Sequence, residues 1–181
     1  NCRETFYFFE VDWKDLEFRK EVLRMISPKK ELSLFYPQGE GIHTAIHIRE
    51  GGGFDPPIFH KTLPLKFPPI EFYADALLDM LEQFKGKTIR CRIFTDARHP
   101  EELVQQIQKR LPLNAPIFFY YETANDFKTH ILEDFFSLFL YDVLIRPCSN
   151  FSLVPSLIHD YMMVYTPSNT QNRIPSSQNG F

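Results

Sequence analysis

The segment TAIHIREGGGFDPP, residues 44–57, constrains the fold more than any other stretch of the chain. Its first half alternates β-branched and polar residues, and its second half is glycine-rich, so it reads as a strand running into a tight turn. Side chains alternate along a strand, so Thr44, Ile46 and Ile48 share one face while His47 and Arg49 share the other. A histidine and an arginine thereby stand together at the carboxyl end of a strand, where open α/β sheets bind ligands. Two donor or cationic groups beside bare backbone suit an anion, with phosphate the first candidate.

A length of 181 residues is enough for one domain with its own core. The share of hydrophobic residues, 44%, is that of a globular protein and not of a disordered one. A formal charge of -3 gives no reason to expect nucleic acid or an anionic membrane as partner. No apolar run approaches the ~20 residues of a membrane span. The cysteines, Cys2, Cys91 and Cys148, are odd in number and form no CxxC pair. They lead to the expectation of a reducing compartment, with neither zinc nor a disulfide framework. With no recognisable leader, the expected location is cytoplasmic, although a chain that opens on Asn1 can be a fragment or processed form.

Along the chain, residues 12–26 have the pattern of an amphipathic helix with Asp12 as its N-cap, stopped by Ser27-Pro28. After the strand at 44–50 comes a long Gly/Pro loop, 51–69, of the kind that is usually functional or disordered. Helix and strand patterns then alternate. Helices are expected at 71–85, 100–111, 129–142 and 150–158, and strands at 88–96, 116–122, 143–148 and 161–167. Such alternation implies parallel strands joined by crossovers, hence an α/β doubly wound sheet of about five strands in the order 3-2-1-4-5. The switch point then falls between the first and fourth strands. Residues 1–40 read as an N-terminal helical segment, residues 41–167 as a Rossmann-like domain, and the polar stretch 168–181 as a disordered tail.

Three polar motifs, His47 with Arg49, the strand end at Asp96 and the Ser149–Ser152 turn, converge on that crevice. His47 and Arg49 are either a donor pair for a pyrophosphate or a lone histidine and an arginine in a structural ion pair. Gly51-Gly52-Gly53 lets a ligand approach the backbone, but it is not the GxGxxG of dinucleotide-binding folds. The run Ser149-Asn150-Phe151-Ser152 opens a helix, whose free N–H groups and dipole favour an anion; simple capping is the competing explanation. Asn150-Phe151-Ser152 is also formally a glycosylation sequon, and a glycan there would block the crevice. Asp134 has the chemistry to accept two hydrogen bonds from a guanine edge, or is a solvated helix charge. Asp96 either binds a ribose hydroxyl or caps the next helix.

Other chemistries find no motif. There is no GxxxxGK(S/T) loop and no GxSxG elbow. His43 and His47 form HTAIH, which lacks the glutamate of a zinc helix. No Asp-x-Asp occurs to hold a diphosphate through a metal, so no metal site is expected.

On these motifs the chain resembles the donor-binding half of the α1,2-, α1,6- and protein O-fucosyltransferase superfamily, of GT-B-type architecture, over residues 40–165. The family's H-x-R strand motif corresponds to His47-Ile48-Arg49, and its strand-ending T-D pair to Thr95-Asp96. Two aspartates eight residues apart correspond to Asp134 and Asp142, and the Ser-rich turn to Ser149-Asn150-Phe151-Ser152. The resemblance implies a fucosyltransferase with GDP-fucose as donor substrate, inversion at the sugar carbon, no metal and no other cofactor; it makes 41–167 the nucleotide-sugar-binding domain and 1–40 a remnant or edge of an acceptor lobe. By the same resemblance, Arg49 and His47 are the catalytic pair. Arg49 neutralises the departing β-phosphate and His47 contacts the phosphate or ribose region. Asp134 reads guanine, Asp96 supports the nucleotide end, and Ser149, Asn150, Phe151 and Ser152 hold the pyrophosphate. A fixed guanidinium is suited to that role, because the leaving group gains charge as the glycosidic bond breaks.

One departure stands out. Where family members often have R-R-x-D, this chain has Arg49-Glu50-Gly51-Gly52, and alternation turns Glu50 to the face opposite Arg49. The general base is either Asp55, Glu50 or a group from an acceptor lobe. Two further readings remain open: a nucleotide or nucleotide-sugar binding module without transfer activity, and an α/β interaction domain. The acceptor, a glycan or a protein, is not specified by the sequence.

Overall fold

A computed structural model describes residues 11–52, 55–122, 131–168 and 176–179. It contains one sheet with strands β1 (Ile42–Ile48), β2 (Ile89–Thr95), β3 (Ile117–Tyr120), β4 (Val143–Ile145), β5 (Met163–Thr166) and β6 (Ser176–Asn179). The spatial order is β3-β2-β1-β4-β5-β6. The first five strands are mutually parallel, in the doubly wound order expected from the sequence. β6 pairs antiparallel with β5. The expectation of a disordered tail is therefore corrected over 176–179, where the free edge of β5 accepts one more strand.

Helices α1 (Leu16–Ile26), α2 (Phe59–Thr62), α3 (Ile70–Gln83), α4 (Pro100–Gln108), α5 (Ile131–Ser137) and α6 (Asn150–Ile158) connect and flank the strands. The in-register partners Ile46, Ile93 and Ile145 lie on one face of the sheet, packed with Tyr73, Leu77 and Met80 of α3 and Leu103, Val104 and Ile107 of α4. On the other face Ala45, Phe94 and Leu144 pack against Leu138, Tyr141 and Tyr161, with Phe151 of α6 alongside. β1 is thus covered on both sides. Its last five residues, Thr44 to Ile48, are all buried, although His47 and Thr44 are polar.

Several boundaries differ from the sequence reading for identifiable reasons. α1 is capped by Asp15, whose carboxylate accepts from the N–H groups of Glu17 and Phe18. Asp12, the expected cap, instead accepts from Lys14 N–H in the preceding turn. The 129–142 helix spans only α5 and a 3-10 turn, Leu138–Leu140, among the described residues. The turn brings Tyr141 round so that its hydroxyl donates to the Phe35 carbonyl. β4 stops at Ile145 because Pro147 has no N–H to continue the ladder. The Gly/Pro loop contains α2 within it.

The cysteine reading is also corrected. Cys91 is free and buried in the core, but Cys148 is disulfide-bonded. The odd count therefore does not exclude a disulfide, and it gives no ground for a reducing compartment. No helix among the described residues is long and apolar enough to cross a membrane.

Candidate functional site

At the carboxyl ends of β1, β2 and β4 the separate motifs meet through side-chain contacts. The first join is between β1 and α6. His47 is buried, and its Nδ1 lies 2.8 Å from the Oγ of Ser152, itself wholly buried in the first turn of α6. The Phe151 ring packs on the imidazole with centroids 5.1 Å apart. Burial, then Arg49 and Arg146, lower the His47 pKa to about 3, so the ring is neutral at physiological pH. His47 and Arg49 are thus not two cations side by side. The histidine is a neutral post beneath the crevice, and the arginine alone carries charge.

The second join is between β1 and β2. Arg49 donates from Nε and Nη2 to Asp55 Oδ2, at 3.2 and 2.8 Å. Its Nη1 lies 3.1 Å from Asp96 Oδ2, a close ion contact that leaves this buried oxygen without a hydrogen bond. Asp96 Oδ1 accepts the backbone N–H of Glu50 at 2.6 Å. Asp96 therefore fixes the chain just past β1 and does not cap α4. Asp55 also takes Lys66 Nζ at 2.7 Å, and Lys66 followed by Arg49 holds its carboxyl below the usual range. Asp55 reaches Arg49 because Gly51 has φ +90°, and a Cβ there would lie 3.3 Å from the Cβ of Asp55. The loop is also tied to the β4 side, where Cys148 N–H donates to the Leu65 carbonyl at 2.8 Å.

At the opening of α6, Ser149 takes the N-cap position in an extended conformation without a side-chain capping bond. Within this turn Ser152 N–H donates to the Ser149 carbonyl at 3.2 Å, and a helix amino end in general favours an anion. Asn150 is exposed, whereas Phe151 and Ser152 are used internally against His47. Asp134, in the first turn of α5, borders a void of about 10 Å³ together with Thr95 and Glu122. The helix aspartate and the T-D pair are therefore neighbours across a small void. Asp142, the second aspartate of the pair, instead accepts from His43 N–H at 2.9 Å, at the opposite end of β1.

Two participants escaped the sequence reading. Lys66 lies far enough along the loop that nothing local links it to Asp55. Arg146, buried at the end of β4, is an arginine before proline with no spacing signal. Glu50 follows Arg49 and lines a separate cavity with Asp96, whose negative charge sits beside it. Alternation had turned Glu50 away from Arg49, and the cavity it lines does not include Arg49.

Neither the protein-family models nor the curated proteins compared with the chain gave a match. The chemistry of the crevice therefore rests on its own residues.

Proposed function

We propose that the crevice between β1 and β4 binds GDP-fucose and that the protein transfers its fucose, with inversion and without a metal, to an acceptor hydroxyl. The reading draws on the resemblance of the motifs. It is supported above all by one observation: Arg49 is held rigidly at the strand end by Asp55 and Asp96. A guanidinium fixed before the reaction loses no orientation energy when the leaving phosphate gains charge. The α6 N-terminus beside it adds backbone donors for the rest of the diphosphate.

A binding module without transfer activity is the second reading. The pairing of Arg49 with two carboxylates favours it, because much of the guanidinium's charge is already compensated. Calorimetric titration with GDP, GDP-fucose, UDP and ADP, each with and without EDTA, tests both. Selective binding of the guanine nucleotides, unaffected by EDTA, is the expected result. Release of fucose from bound GDP-fucose separates the enzyme from the module. Equal binding of all four nucleotides, or of none, contradicts the donor reading.

A further inference from the structure

A cavity of about 350 Å³ opens beside the end of β1, walled by Glu50, Asp96, Arg98, His99, Glu102 and Gln106. We propose that it is the acceptor site: it receives a neutral polyhydroxyl ligand, and the Glu50 carboxylate takes the proton of the attacking hydroxyl. This rests on the donor reading above.

The class of ligand follows from the wall. Three carboxylates against one guanidinium repel a phosphate, so the donor's own diphosphate is excluded. Arg98 and the positive amino-terminal end of α4, which begins at Pro100, offset part of that charge and supply donors. The match is a neutral molecule whose groups both donate and accept. Glu50 and Glu102 accept, while Arg98 and Gln106 donate, and each hydroxyl of a sugar satisfies one of each. The volume lies within the range of small-molecule pockets, ~300–1,000 Å³.

Glu50 is set up for the proton. Its backbone is pinned on both sides, N–H to Asp96 at 2.6 Å and carbonyl to His60 Nε2 at 3.1 Å. Its carboxylate has no hydrogen-bond or ion-pair partner among the described residues. Asp55, the other carboxylate considered as base, is bound by Lys66 and Arg49 and held low, which makes it a poor proton acceptor. Burial raises the Glu50 carboxyl above its ordinary value, with His60 opposing and Asp96 adding to the rise. Arg98, His99 and Glu102 share the cavity wall with it, and Tyr73 of α3, which interacts with it electrostatically, keeps its buried hydroxyl protonated. The cavity meets Arg49 through Asp96, which lines its wall and lies 3.1 Å from the guanidinium. In the step, the acceptor oxygen bonds to the sugar carbon as the bond from that carbon to the phosphate oxygen breaks. The proton passes to Glu50, and the electron pair leaves on GDP toward Arg49.

Hydrolysis of GDP-fucose, with water as acceptor, is the probe, run with wild type and Glu50→Gln beside a GDP titration. The variant is expected to slow turnover at saturating donor by ~10²-fold or more, the usual weight of a general base. The GDP Kd should stay within about twofold, since Glu50 does not face the diphosphate. The wild-type rate should fall as pH drops through the raised Glu50 value, and that acid limb should flatten in the variant. Lactose should lower hydrolysis saturably by displacing water, and glucuronate, with the wall's own charge, should not. Unchanged turnover in Glu50→Gln, or a rate altered equally by both sugars or by neither, overturns the proposal while GDP binding upholds the donor site. Loss of GDP binding in the wild type overturns both.

Discussion

The contact between His47 and Ser152 joins a strand end to a helix start across a sequence separation of 105 residues, and both partners are buried. Ser152→Ala leaves the imidazole Nδ1 without its partner in a closed space. The expected cost is about 1–3 kcal/mol of stability, read from the urea midpoint. A midpoint unchanged from wild type would mean that the pair carries no weight. The same histidine gives the protein a pH dependence. Its pKa lies near 3 when folded, against an ordinary 6.5. Between those values the unfolded chain binds a proton that the folded chain refuses. The stability tied to neutral His47 is therefore complete above about pH 6.5 and is lost as pH falls toward 3, at up to about 1.4 kcal/mol per unit. His159, also lowered by burial, acts in the same direction. His47→Gln should therefore lose less stability than wild type between pH 7 and 5, by denaturation at both values. An equal loss in the two would place the titration elsewhere.

Among the elements, β1 carries the most structure. It is flanked by parallel strands on both sides and covered on both faces, so Ile46 has no route to solvent. Ile46→Ala should cost about 2–5 kcal/mol, with the unfolding free energy as the readout. A cost below 1 kcal/mol would contradict a close-packed centre. The alternation that marks β1 was plain in the sequence, as were the helix periods of α3 and α4, because both follow from one face of an element meeting the core. Sheet order was also legible, since helix–strand alternation restricts the crossovers. What the sequence did not disclose depends on contacts between distant residues. Asp12, the cap expected from the sequence, turns the chain one step earlier, and Asp15 caps the helix. β6 forms by pairing with an edge and not by its own composition. Cys148 is in a disulfide although its neighbours carry no signal of one.

For the molecule as a whole, the crevice is where local rules and long-range assembly meet. The sequence placed the H-x-R step, the T-D pair and the Ser turn on the right strand ends. The structure ties the first to the second through Arg49 and Asp96, and the first to the third through His47 and Ser152. Charge could not be read in advance. His47 is neutral because it is buried, and Arg49 is compensated by an aspartate that a glycine turn brings back to it. The central claim is that the fixed Arg49 guanidinium meets a nucleoside diphosphate. Arg49→Gln should preserve the fold, because Asp55 keeps Lys66 and Asp96 keeps the Glu50 N–H. The deciding measurement is the calorimetric GDP affinity of wild type and Arg49→Gln at equal denaturation midpoints. The account predicts that GDP binds the wild type and that the substitution weakens it at least about tenfold, some 1.4 kcal/mol. Equal affinity in the two folded proteins, or no binding to either, would contradict it.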